Sequence, residues 1–83
     1  MYHVYILECA DQSLYIGITN DLEKRLHIHN HAKAGARYTK ARRPVVLRYS
    51  ERKRTRGSAL SREAALKRLS RAQKLELIRT VAH

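Results

Sequence analysis

Cysteine occurs once in these 83 residues and proline once, while phenylalanine and tryptophan are absent. The single Cys9 excludes an intramolecular disulfide and any zinc site built from a cysteine cluster. That usage fits a reducing cytosol. No apolar run approaches the ~20 residues needed to cross a bilayer. The opening stretch, MYHVYILECA, is too short and too polar for a secretion signal. A soluble, cytoplasmic protein with no membrane partner is therefore expected, and no obligate protein partner is evident. Acidic residues are also scarce. Seven Asp and Glu stand against eighteen Lys and Arg, a net charge of +11. Such self-repulsion is relieved by a polyanion, and nucleic acid is the first candidate.

What is present suffices for a globule. Hydrophobic residues make up 43% of the chain, which argues against disorder throughout. The length predicts one domain over residues 1–83, with a modest core. YHVYILEC at 2–9 is β-branched and aromatic and reads as a strand. ADQS is a turn, because Asp and Ser bond back to nearby backbone. LYIGIT returns as a second strand. Asn20 reads as a helix N-cap with Glu23 as its capping-box partner, and the helix runs to about Ala34, ending near Gly35.

Residues 35–44, GARYTKARRP, form a basic loop closed by the one proline, and VVLRYS is a third strand. Ser58 starts a second helix. Ser70 followed by Gln73 signals another N-cap, for a third helix over about 71–82. The order β-β-α-β-α-α describes a small α+β fold: a three-stranded antiparallel sheet flanked by helices.

Helical wheels expose an anomaly. In the first helix Glu23, Lys24, His27 and His31 lie away from Leu22 and Leu26, but Arg25 and His29 fall beside those leucines. In the second, Leu60, Ala64, Ala59 and Leu66 define an apolar arc, with Arg62, Ala65 and Arg68 opposite. Glu63 lies inside the arc and Lys67 close to it. A carboxylate there is costly unless paired, hydrogen-bonded or bound to a metal. Two readings stand side by side. Arg25 and Glu63 form a structural ion pair, with His29 a satisfied core histidine and Lys67 reaching to water. Alternatively, Arg25, His29 and Glu63 converge on an anion in a cleft floored by the sheet. All five aromatic rings are tyrosine. Tyr5 and Tyr15 share a sheet face if the hairpin loop has an odd residue count, as a loop of Asp11 to Ser13 would.

The chain resembles the stand-alone GIY-YIG nuclease domains of short bacterial type over nearly its whole length. The matching residues are HVYIL at 3–7, YIG at 15–17, NDLEKRLHIHN at 20–30 and SREAALKRLS at 61–70. In order they supply Tyr5, Tyr15, Gly17, Arg25, His29 and Glu63. The first motif departs from the family pattern: it reads His3-Val4-Tyr5 and keeps only the tyrosine.

The resemblance implies a divalent-metal-dependent DNA endonuclease that hydrolyses phosphodiester bonds. By analogy Glu63 would ligate Mg²⁺, with Mn²⁺ as a substitute, and the metal would stabilise the leaving 3′ oxygen. Arg25 would clamp the non-bridging oxygens. Tyr5 would be the general base with His29 assisting, and its phenol pKa of ~10 would have to be lowered by the site. Tyr15 would orient water or phosphate, and Gly17 would permit close backbone approach.

Lys33, Arg37, Lys40, Arg42 and Arg43, with Lys67 near the site, are expected to track a DNA backbone, and Tyr38 to stack on a base or pack on the sheet. Such contacts position rather than read sequence, so low specificity is expected, on single-stranded or structured DNA, with RNA as a competitor. A non-catalytic nucleic-acid-binding module that keeps the nuclease fold is the alternative, and a basic protein docking on ribosomes is a third.

Overall fold

Strand β1 (Tyr2–Glu8) pairs antiparallel with β2 (Leu14–Thr19) on one side and β3 (Val46–Lys53) on the other, giving the sheet order β2-β1-β3. Helix α1 (Leu22–His31) follows β2, a single helical turn α2 (Arg37–Lys40) precedes β3, and α3 (Arg56–Lys67) and α4 (Arg71–Val81) complete the chain. This computed structural model describes residues 1–31 and 37–81, with side chains for all of these but residues 37, 38 and 81. The expected α+β architecture is thus present, with one addition. Residues 37–40, expected as loop, close a helical turn. The expected end of the first helix near Ala34 and Gly35 lies outside the described residues.

Alternation along β1 builds two cores, one on each face of the sheet. Val4 and Ile6 point to one face, where they meet Ile16, Tyr49, Ala59, Leu66 and Ile78, so α3 and α4 pack there. Tyr5 and Leu7 point to the other, with Cys9, Val45, Tyr15 and the α1 residues Leu22 and Leu26. Helices α1 and α3 therefore lie on opposite faces.

The hairpin sets the register on which the site depends. Cys9 N–H donates to Ser13 O at 2.9 Å, leaving Ala10, Asp11 and Gln12 as a three-residue loop. Gln12 closes it at φ 70°, the left-handed position such loops require. Asp11 accepts from the Ser13 backbone and hydroxyl at 3.0 and 2.6 Å, as expected of an Asp-Ser turn. The odd count holds, one residue earlier than Asp11 to Ser13. Tyr5 consequently faces Gly17 across the ladder and Leu7 faces Tyr15, which puts both tyrosines on the α1 face.

Helix starts correct two expectations and bear out a third. Asp21, not Asn20, caps α1: its carboxylate accepts from Lys24 N–H at 3.1 Å, and Thr19 Oγ1 in turn accepts from Asp21 N–H at 3.1 Å. The cap is chosen by which side chain reaches the third helical amide, and one residue's difference decides it. Thr55 caps α3 by accepting from Ser58 N–H at 3.1 Å, so that helix begins at Arg56, before Ser58. Ser70 and Gln73 do form the reciprocal box, at 2.9 and 3.1 Å.

The apolar arc of α3 is also rotated from expectation. Ala59 and Leu66 are buried, Arg62, Glu63 and Ala65 half-buried, and Leu60 and Ala64 exposed. Arg62 turns inward because Glu51 on β3 accepts from its Nε at 2.7 Å, and the Tyr49 hydroxyl donates to the same carboxylate. No described helix is long and apolar enough to cross a membrane.

The cap assignment predicts that Asp21→Ala lowers stability by about 1 kcal/mol in urea unfolding, while Asn20→Ala stays within a few tenths.

Candidate functional site

The α1 face of the hairpin carries a buried polar chain. Tyr5, His29 and Thr39 are 2%, 0% and 0% exposed. The Tyr5 hydroxyl lies 3.0 Å from His29 Nε2, and His29 Nδ1 lies 2.7 Å from Thr39 Oγ1. Tyr15 stands edge-on to the same imidazole at 5.2 Å between centroids, and Tyr5 at 5.9 Å. Local sequence explains the convergence. Arg25 and His29 are one turn apart on α1, on the side that Leu22 and Leu26 press against the sheet. The short α2 turn brings Thr39 up behind the imidazole.

Gly17 makes room for the phenol. A Cβ built there would lie 2.5 Å from Tyr5 Oη, 2.7 Å from Tyr5 Cζ and 3.3 Å from Tyr15 Cε2. The close approach expected of Gly17 is thus between its Cα and a side chain of the neighbouring strand.

Electrostatics follow from burial beside a cation. Burial pushes the His29 pKa from 6.5 down to about 4, and the positive charges of Arg25 and Arg43 push the same way. The imidazole is neutral at physiological pH, so one ring nitrogen donates and the other accepts. Burial raises the Tyr5 phenol above 10.0, against the opposing hydrogen bond and charge of Arg25, and the Tyr15 and Glu63 charges raise it further. The lowering expected of this phenol is not found in the protein alone, because burial outweighs the one adjacent cation. The bond to Tyr5, and then its charge, raise the Arg25 pKa. With Arg25 donating to the phenol oxygen, we assign the phenol proton to His29 Nε2 and the Nδ1 proton to Thr39 Oγ1.

Four of the five expected catalytic residues, Tyr5, Tyr15, Arg25 and His29, therefore meet in one network. The fifth, Glu63, is half-buried on α3 and pairs with Lys67 one turn on, at 3.3 Å, instead of with Arg25. The sheet separates α1 from α3, whereas an i,i+4 pair needs no crossing. Its charge nevertheless reaches Tyr5. No group of three or more His, Cys, Asp or Glu able to hold a metal occurs among the described residues. Glu63 suits a hard cation such as Mg²⁺, which takes one carboxylate and fills its octahedron with water and phosphate oxygens, and does not suit an all-protein cage.

The expected DNA-tracking residues divide. Lys40 and Lys67 are exposed. Arg42 is tied to Asp11 at 3.0 Å, which staples the hairpin loop to the approach to β3. Arg43 donates to the carbonyls of His29 and Ile28, at the end of α1. Both arginines have structural duties the sequence did not suggest. Lys33 and the side chains of Arg37 and Tyr38 lie outside the described residues. Thr39 was missed: its spacing from His29 carries no periodic signal, and it sits within a basic run.

Two outcomes test this geometry. Gly17→Ala should lower stability by about 1–3 kcal/mol, because the methyl overlaps a buried phenol. A nitrogen-detected NMR spectrum of that variant should show altered His29 ring shifts; unchanged shifts would contradict the close approach. Second, because the folded His29 pKa lies below its unfolded value, the unfolded chain takes up the proton first. Stability should then fall as pH drops from about 6.5 toward 4 and gain nothing from this group above that range. His29→Gln, compared with wild type in thermal melts, should flatten that part of the profile.

The family model for the GIY-YIG catalytic domain matches residues 1–76. A UPF0213 protein of Syntrophus aciditrophicus is 53% identical over 77 residues, covering 93% of this chain and 88% of its own. Another from Clostridium perfringens is 53% identical over 78 residues, covering 94% and 83%. The solution NMR structure of a UPF0213 protein from Bacillus halodurans superposes with a TM-score of 0.62 at 36% identity, over 98% of this chain and 86% of that one. One from E. faecalis gives 0.64 at 38%, over 99% and 88%. With the family model spanning nearly the whole chain and the tyrosines, arginine and histidine gathered on one sheet face, this protein belongs to the GIY-YIG family, among the UPF0213 proteins.

Proposed function

We propose that the protein is a nucleic-acid-binding module of the nuclease fold that seats a backbone phosphate against Arg25, beside the Tyr5–His29 pair. The observation that carries this is the network itself: a half-buried guanidinium held by phenol oxygens, next to an imidazole kept neutral. A phosphate reaching Arg25 meets a planar cation already oriented for two oxygens. Excess positive charge supplies the long-range attraction, and phosphate contacts carry no sequence code, so affinity falls with salt and base preference is weak. DNA is the partner we favour, with RNA competing for the same contacts.

A second reading, phosphodiester hydrolysis, is favoured by one specific observation: Tyr5, His29 and Thr39 are joined in one hydrogen-bonded chain. At neutral pH the phenol is protonated, so it serves as a base only in concert. As the Tyr5 oxygen takes a proton from an attacking water, its own proton passes to His29 Nε2, while Thr39 holds Nδ1–H in place. Arg25 would stabilise charge on the non-bridging oxygens, and Tyr15 would orient the phosphate. Mg²⁺ held by Glu63, with Mn²⁺ as a substitute, would supply charge stabilisation at the leaving 3′ oxygen.

The test is to incubate purified protein with single-stranded, duplex and branched DNA, in Mg²⁺, Mn²⁺ or chelator, alongside Glu63→Ala. Salt-sensitive binding by both proteins is expected. Metal-dependent nicking by wild type and not by the variant establishes hydrolysis. Binding without cleavage in any metal leaves the binding module alone, and no affinity at low salt removes both readings.

A further inference from the structure

Two grooves open at opposite ends of strand β2. One, where β2 passes into α1, is lined by Thr19, Asn20, Asp21, Lys24, Arg25 and Ile28. The other, where β2 begins, is lined by Leu14, Tyr15, Ile16, Lys67 and Lys74. Strand β2 is an edge of the sheet. Arg25 of the first groove interacts with Tyr15 of the second, which links the two along this edge.

We propose that a single strand of nucleic acid lies along this edge, from Lys24 and Arg25 past Tyr15 to Lys67 and Lys74. The inference rests on the nucleic-acid reading above and gives it a path. Charge complementarity supports the occupant: each groove carries lysine at its rim, and the chain has a net charge of +11. Chemistry supports a single strand. The far groove combines a half-exposed tyrosine and two aliphatic side chains with its lysines, which suits an unstacked base above and a phosphate at the edge. At ~3.3 Å per residue the six residues of β2 span roughly 17 Å, enough for several nucleotides.

Lys67 already stands over a carboxylate, pairing with Glu63. A phosphate in the far groove would share that lysine, which links the track to Glu63. The path differs from one across residues 33–43, where Arg42 and Arg43 are bound to Asp11 and to the α1 carbonyls. Lys74 had no role in the sequence reading, since it lies on the last helix, past the last matching motif at 61–70.

Fluorescence anisotropy with a labelled 12-nucleotide single strand tests the path. Wild type, Lys67→Gln/Lys74→Gln, Lys24→Gln and Lys40→Gln are titrated across a range of salt, with circular dichroism confirming that each folds. The double variant should lose about tenfold or more in affinity at low salt, and its log–log salt slope should fall by about 1.4, two contacts at ~0.7 each for single strands. Lys24→Gln should lower the slope by about half as much. An unchanged slope in the double variant, with a loss in Lys40→Gln, would place the strand across α2 and overturn the path. A loss on duplex with none on single strands would overturn the single-strand occupant. If wild type itself fails to bind, the nucleic-acid reading fails, and the path with it.

Discussion

The contact between the Tyr5 hydroxyl and His29 Nε2 is where the two sides of the site are joined. It crosses from the central strand to α1, through the one place in β2 where a side chain is missing. Each participant is constrained by the others. The phenol occupies space over Gly17, the imidazole has both nitrogens engaged, and the guanidinium of Arg25 satisfies the phenol oxygen from the other side. Buried polar groups are tolerable only when every one is paired, and here the pairing also orients them. No described buried side-chain nitrogen or oxygen lacks a partner.

That closed set explains the charge states. Desolvation and neighbouring cations keep His29 neutral to well below neutral pH, and desolvation keeps the phenol protonated. With the phenol so desolvated, a lone buried tyrosinate would be too costly to form. The opposite face of the sheet uses its tyrosines differently. Tyr2 and Tyr49 pack in the larger core, and Tyr49 donates to Glu51, which also ties down Arg62. One residue type thus serves as core filler on one face and as polar machinery on the other.

The basic residues divide in the same way. Charge counted along the chain treats every arginine as available, but Arg42 and Arg43 fasten the segment before β3 to the hairpin loop and to the end of α1. Arg62 fastens α3 to β3. A guanidinium has five donors in a rigid fork, so arginines are readily recruited to satisfy carbonyls and carboxylates at such junctions. Exposed lysines, with strongly hydrated point charges, are left at the surface, and Lys24, Lys40 and Lys67 are among them.

Periodicity alone was enough for the strands, the number of longer helices and the sheet's antiparallel sense, because alternation and 3.6-residue spacing are local properties of the chain. It also placed Arg25 and His29 on the buried side of α1, since Leu22 and Leu26 fix which side faces the sheet. Ser70 and Gln73 were legible because a reciprocal cap lies within four residues. Tertiary structure decided what distance along the sequence conceals. It set the three-residue loop that turns Tyr5 and Tyr15 to one face, and it brought Thr39 behind His29. It gave Glu63 to Lys67 because the sheet stands between α3 and α1, and it rotated α3 because Glu51 draws Arg62 inward. Each is a contact whose partner is chosen by packing in three dimensions, and no spacing within a single segment encodes it.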